Sequence, residues 1–433
     1  MNLQRQDSVA AAPGARGGSG AGTMGRNPGG GGSVIIRLRV DNLTHTLVGI
    51  AISRAGFKGR LPYATTALII AANLPDIDVV AGWNGVGFLA THRSLTHSLV
   101  ALPALAVLIA WGLRWAAGYH FRRQQRQRQA HRDAVLAVGR VRSTPGEPRV
   151  KSVRLEDLWP EAAGAPDPDA APETPPLPSW RLCLLLGFVG VGSHILLDMM
   201  TSFGVRVLWP FSQHWFAWDF MPEMDPWVWI ILLFLLLAPM TLGLVGSEIG
   251  ARRRPHRLSA IIALAAVTAW IGVRAFYHYR VVRLLAETEV GGHAPRKVGA
   301  FPYAGSPGLW HTVVETKGRY QLGMVNATAA RLLPPALAAA PPQTLYTPAV
   351  TPQIALARST PQAQVFLHFA RFPYIYTQQR ENGGTNVLIT DLRFKAAHEP
   401  VNMGLLIRES ANLHVQSTHL YWRGAAAALG PQP

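Results

Sequence analysis

Apolar positions follow two rhythms along this chain. Between residues 40 and 282 they form long continuous blocks, and beyond about 283 they become short and partly alternating. The blocks at 98–118, 226–246 and 258–277 are each long enough to cross a hydrocarbon core of about 30 Å as a helix. A fourth block, WRLCLLLGFVGVGSHILLDMM (180–200), is as long but carries His194 and Asp198 near its end. Two shorter apolar helices, 43–55 and 62–74, are joined by GFKGR (56–60). At about 1.5 Å rise per residue each reaches only about 20 Å, as a re-entrant hairpin or a pair of short spans. After 283, AQVFLHFARFPYIYT (363–377), TNVLITDLRF (385–394), MGLLIRE (403–409) and LHVQSTHLYW (413–422) are rich in β-formers. The predicted fold is an α-helical integral membrane bundle followed by a mainly β soluble C-terminal domain, 283–433. The bundle, 40–282, has four long transmembrane helices plus a short helical hairpin.

Charge changes the picture in one respect. A net charge of +17 in a soluble chain suggests nucleic acid. Here the basic residues cluster beside apolar blocks, in FRRQQRQRQAHR (121–132) and ARRRPHR (251–257). That placement fits cytoplasmic loops of a membrane protein, so membrane lipids are the expected partners and no nucleic acid is. The site-bearing loops 75–97 and 199–225 and the C-terminal domain then fall on the periplasmic side. Arg274, Arg280 and Arg283 weigh against this orientation. Residues 119–179 form a basic, Pro-rich insert ending in GAPDPDAAPETPPLP (164–178), expected to be a disordered cytoplasmic loop. Residues 1–39 are Gly-, Ala- and Arg-rich; they are expected to be disordered and lack the apolar region of a signal peptide. A single cysteine, Cys183, excludes an intrachain disulfide and a cysteine-built zinc site.

Candidate chemistry follows the same layout. LTHTLV (43–48) returns as LTHSLV (95–100). Potential ligands are His45, Asp76 and Asp78 in NLPDID, His92 and His97 in HRSLTHS, and His194 and Asp198 in GSHILLD. Glu223 and Asp225 are further candidates. A hairpin turning at 56–60 returns residue 76 to the end where His45 lies. The next long helix leaves from His97 at that end, and the helix 180–198 finishes there. His194 and Asp198 are i and i+4 and share a helix face. Pro75 disfavours the α region at Leu74 and ends or resets the helix there, leaving both aspartates in a turn or at a new helix start. Asn42 and Ser94 are expected N-caps that place His45 and His97 in first turns. Ionisable groups inside membrane segments are costly and point to function. Histidines with carboxylates favour zinc, manganese or iron over magnesium or calcium, as one or two ions.

DNLTHTLVG, NLPDID, HRSLTHSL and GSHILLDMMTSFG, with RVLWPFS (206–212), resemble the YdjM-type family over about residues 41–282. That family is described as LexA-regulated, inner-membrane-associated, metal-dependent hydrolases. The insert 119–179 and the N-terminal extension depart from its pattern. The resemblance implies a divalent-metal hydrolase of the bacterial inner membrane. Its metal ligands would be His45, Asp76, Asp78, His92, His97, His194 and Asp198. The separate aspartate and the 194–198 pair are also similar to zinc-dependent phospholipase C, which points to phosphoesters.

The expected reaction is hydrolysis of a phosphoester or other ester by a water whose pKa the metal lowers. Asp76, Asp78 and His97 would be the catalytic groups. Arg93 is either a phosphate contact or an interfacial arginine. The aromatic residues between Trp209 and Trp229 are either an interfacial belt or part of a binding site for a lipid-like substrate. The alternatives are a metal-stabilised scaffold or transport component, and a sensor acting through the C-terminal domain.

Overall fold

A computed structural model describes residues 32–80, 85–141, 177–248, 256–328 and 338–422. Helix α1 (Gly32–Ile52) ends in a π-helical turn, Ser53–Phe57, and α2 (Ala64–Asn73) runs back beside it. At Pro75 the helix resets, as one of the two expectations had it, although Leu74 does not leave the α region. Leu74 keeps helical angles (φ −64°, ψ −36°), and the helix tightens into a 3-10 turn, Leu74–Val80, because proline removes one i→i−4 hydrogen bond. The short α3 (Val86–Thr91) and a second 3-10 turn, Leu95–His97, lead into α4 (Ala101–Val141). Then come α5 (Trp180–Met199), α6 (Pro226–Glu248) and α7 (His256–Glu287).

Among the described residues, three helices are long and apolar enough to cross a membrane, within Ala101–Ala130, Trp180–Met199 and Arg257–Glu287. The fourth expected span, 226–246, falls in α6, which contains Pro239; its apolar stretch Pro226–Pro239 is shorter. Trp111, Ile230, Phe234 and Ile261 are exposed on these helices, as suits contact with hydrocarbon rather than water. Inward, Leu68, Ala110, Leu186 and Val191 join α2, α4 and α5. Val48, Leu232 and Ala263 join α1, α6 and α7.

Two expectations of disorder are corrected. The Arg/Gln run 121–132 is helical, because α4 continues through it for 41 residues in all, a length of about 60 Å. Arginine and glutamine are strong helix formers, and no proline interrupts them. The rest of the insert, 142–176, lies outside the described residues. In the N-terminal extension, residues 1–31 lie outside them too, and α1 already begins at Gly32.

The C-terminal part holds two antiparallel four-stranded sheets. The first is β1 (Lys297–Pro302), β2 (Leu309–Thr316), β3 (Arg319–Asn326) and β4 (Ala338–Tyr346), in that order. Helices α8 (Pro352–Ser359) and α9 (Pro361–Phe369) follow. The second sheet is β5 (Pro373–Gln379), β6 (Thr385–Asp391), β7 (Met403–Glu409) and β8 (Val415–Trp422). The segment expected to be a strand from 363 is helical up to Phe369. Thr360 caps Ala363 N at 3.2 Å, proline stands at the helix start, and Ala363, Phe366 and Phe369 recur at helical spacing.

Phe301, Val313 and Leu322 of the first sheet pack on Phe372 and Leu392 beside the second. His311, buried there, donates from Nε2 to the Leu392 carbonyl at 2.9 Å. Burial pushes its pKa down from 6.5 to about 4. The unfolded chain therefore takes up this proton first, so stability is full above 6.5 and is lost as pH falls toward 4. The expected loss between pH 7 and pH 5 is about 2 kcal/mol. Thermal unfolding followed by tryptophan fluorescence should show it, and His311→Gln should flatten the slope.

The sheets sit on the loop that follows α5. Arg393 donates to the carbonyls of Ser202 (2.6 Å) and Phe369 (2.8 Å). Arg371 donates to Asp219 Oδ2 at 2.8 Å, and Phe203 packs on Phe369 with ring centroids 4.8 Å apart. Arg274 of α7 donates to the carbonyls of Ser306 and Pro307 at 3.0 and 3.2 Å.

Candidate metal centre

Helix α5 carries His194 and Asp198, and two glycines let it approach its neighbours. A Cβ on Gly187 would stand 2.7 Å from the Ala106 carbonyl oxygen, and one on Gly190 would stand 2.5 Å from Ala71 Cβ. Small residues at such crossings are the usual device for close helix packing in membranes. The approach brings His194 Nδ1 to 2.7 Å from the Ala72 carbonyl at the end of α2. That oxygen only accepts, so the neutral ring carries its proton on Nδ1 and presents a lone pair at Nε2.

His97 is oriented in a similar way. Its Nδ1 lies 3.1 Å from Thr96 Oγ1 and 3.3 Å from Asp78 Oδ2, so its Nε2 also faces inward. The two Nε2 atoms are 3.1 Å apart. Asp76 Oδ1 lies 3.4 Å from His97 Nε2 and 3.5 Å from His194 Nε2. Asp198 Oδ2 lies 3.3 and 3.4 Å from the same nitrogens. Five edges of a four-atom figure thus measure 3.1–3.5 Å. Four tetrahedral ligands, each about 2.0–2.1 Å from a zinc ion, stand about 3.3 Å apart. Asp198 Oδ2 is buried and accepts no hydrogen bond, as an atom reserved for a cation would be. The donor set fits a transition metal.

Asp76 belongs to a second group as well, with Asp78 and His92. Asp78 Oδ1 meets His92 Nδ1 at 2.9 Å. Its Oδ2 accepts from Thr96 Oγ1 at 2.8 Å and from Arg93 N at 3.0 Å. Burial alone would raise both aspartates. The histidines reverse this, holding Asp78 (through His92 and His97) and Asp76 (through His194 and His97) well below the usual carboxylate range. Burial also opposes charge on the histidines. His92 is held below its ordinary value despite Asp78, whereas three surrounding carboxylates, led by Asp198, hold His97 well above it. Two lone pairs at 3.1 Å need a positive charge between them; without metal, a proton on His97 supplies it.

The remaining predicted residues lie around these groups. His45 Nε2 is 3.4 Å from Asp198 Oδ1, and its ring stacks on His194 at 3.9 Å. All seven candidate ligands are therefore linked in one cluster. His45 lies outside both compact groups of ligand atoms. Asp225 lines a cavity beside His45 and Asp198 and accepts there from Trp227 N (2.9 Å) and Trp270 Nε1 (3.1 Å). Glu223 lines the same cavity. Arg93 holds Asp198 Oδ1 at 3.3 Å and Thr201 Oγ1 at 3.2 Å and lies over the Phe203 ring, so it positions Asp198.

Asn42 is not a cap, whereas Ser94 does hold the N-cap position ahead of Leu95–His97. Residues 42–45 lie inside α1. Ser94 makes no capping bond, and Ser98, 3.1 Å from Ala101 N, caps α4 instead. The orienting groups Thr96 and the Ala72 carbonyl escaped the sequence reading. Thr96 is adjacent to His97 in HRSLTHS, but a backbone carbonyl leaves no sequence signal.

A family model described as YdjM inner membrane protein matches residues 40–281, more than half of the chain. The chain belongs to the YdjM family. The part of this YdjM protein that matches includes every residue of the cluster and ends within α7, ahead of the two sheets. No curated protein and no solved structure matches the chain.

Proposed function

We propose that the cluster is the active site of a membrane-bound, metal-dependent hydrolase acting on a phosphoester or other ester, with zinc as the metal. The observation that carries the reading is the pairing of a near-tetrahedral four-ligand group with a three-ligand group through Asp76. Three protein ligands leave a position open, which is the pattern of catalytic rather than structural sites. Divalent ions in these groups supply Lewis acidity and bring the pKa of a water toward neutrality.

The chain's own residues do the positioning. Asp76 faces both groups and sets their separation. Asp78, fixed by Thr96 and the Arg93 amide, holds His92 and accepts a hydrogen bond from the attacking water. His97 and His194 are locked by Asp78 and the Ala72 carbonyl. Arg93 keeps Asp198 in place. The positive-inside pattern supports the periplasmic face for this end of the bundle, where a lipid-like ester would have access from the bilayer.

A second reading has its own support. The group Asp76, His97, His194 and Asp198 has four ligands without any water, which suits a structural ion. His92→Ala separates the two readings, since His92 belongs only to the open group. Purified protein is assayed on a panel of phosphodiester, phosphomonoester and carboxylic ester substrates. A catalytic centre loses at least about 100-fold in turnover in His92→Ala while keeping the four-ligand ion. Metal-loaded wild type that turns over no substrate supports the structural reading.

A further inference from the structure

The metal cluster leaves unused a second pocket, open to solvent, where the loop 213–218 meets α9 and β1. Its wall is basic and aromatic. Lys297, Arg371, His214 and His368 line it with Trp215 and Trp218, and among the described residues no aspartate or glutamate does. Arg371 is neutralised from behind, by Asp219. Lys297 Nζ gives one hydrogen bond, to the Arg371 carbonyl at 2.7 Å, and an ammonium has three to give. Two N–H groups buried in the same wall, Trp215 Nε1 and Arg371 Nε, have no acceptor. The pocket is thus rich in donors and positive charge and poor in acceptors.

Its position narrows the ligand. The loop that forms one wall follows α5 and precedes α6, at the end of the bundle where the sheets dock. Beside it Phe211 is 85% exposed and Trp218 is 40% exposed. Aromatic side chains of this kind settle at the headgroup level of a bilayer. Lysine and arginine are the usual partners of phosphate.

We propose that this pocket binds a phosphate group, presented to it as the headgroup of an anionic phospholipid. Lys297 supplies the charge, His214 and His368 frame the opening, and Trp218 rests against the glycerol side. The site does not depend on the hydrolase reading, because none of its residues belongs to the metal cluster.

The full chain in neutral detergent is titrated with dihexanoyl phosphatidylglycerol, dihexanoyl phosphatidylcholine and inorganic phosphate, read by tryptophan fluorescence. The same titrations are run on Lys297→Gln/His368→Gln, with the elution volume in detergent as the check on folding. Phosphatidylglycerol should bind at least tenfold tighter than phosphatidylcholine, and the variant should lose that preference while keeping its elution volume. Inorganic phosphate binding as tightly as phosphatidylglycerol, with the same loss in the variant, keeps the phosphate site and assigns it to a free anion. Equal binding of the two lipids, or unchanged binding in the variant, overturns the proposal.

Discussion

Alanine at both His97 and His194 is expected to abolish metal binding by the four-ligand group. The two rings supply both nitrogens of a figure whose measured edges span 3.1–3.5 Å, and only Asp76 and Asp198 remain. A structural zinc site contributes about 10–16 kcal/mol. Removing half its ligands leaves on the order of half of that, too little to hold an ion against a chelator. The single variants keep three ligands and should fall between. Elemental analysis after dialysis against a chelator reads the outcome, with the elution volume in detergent as a check on folding. Metal retained equally by wild type and double variant would remove His97 and His194 from the ligand set.

The largest loss of stability is expected from Asp391→Ala. This carboxylate accepts from Arg393 Nε at 2.6 Å, Arg371 N at 2.8 Å, Arg393 N at 3.0 Å and Phe372 N at 3.3 Å. Arg393 is buried and is itself the tie from the sheets to the Ser202 carbonyl. Removing Asp391 leaves a buried guanidinium uncompensated, which costs about 3–5 kcal/mol. Thermal unfolding in detergent should show a drop of that order. Arg393→Met with Asp391→Leu removes both charges and should recover part of it, the Arg371, Phe372 and Arg393 N–H groups still lacking their acceptor. A fall of under about 1 kcal/mol in Asp391→Ala would mean that water reaches Arg393.

Much of the candidate site was legible because membrane topology is coarse and its constraints are strong. An apolar hairpin followed by alternating spans leaves few ways to arrange the ends, so His45, Asp76, His97 and His194 could be assigned to one end. The i, i+4 spacing of His194 and Asp198 added a helix face. The local backbone was less legible. The two LTH frames look alike, yet one lies mid-helix and the other ends a 3-10 turn. Residues 33–40 continue the first helix upstream, whereas His92 and Arg93 break from α3 before the second. Thr96 and the Ala72 carbonyl fix two rings through contacts that only tertiary packing creates.

In the C-terminal part, the strands β6, β7 and β8 follow from runs of branched and aromatic residues. The first sheet gave a weaker signal, since β1 contains Gly299 and Pro302 and β4 contains two prolines, residues that usually mark strand ends. The segment from Ala363 to Phe369 is rich in phenylalanine and reads as a strand by composition. Its threonine cap and threefold spacing decide for a helix.

The most direct measurement is the metal content of wild-type protein purified in detergent without added metal, by elemental analysis, with X-ray absorption to identify ligands. The expected result is at least about one transition-metal ion per chain in a mixed imidazole and carboxylate shell, rising to about two when the open group fills. Less than about a tenth of an ion per chain, with no uptake on adding zinc, manganese or iron, would contradict it.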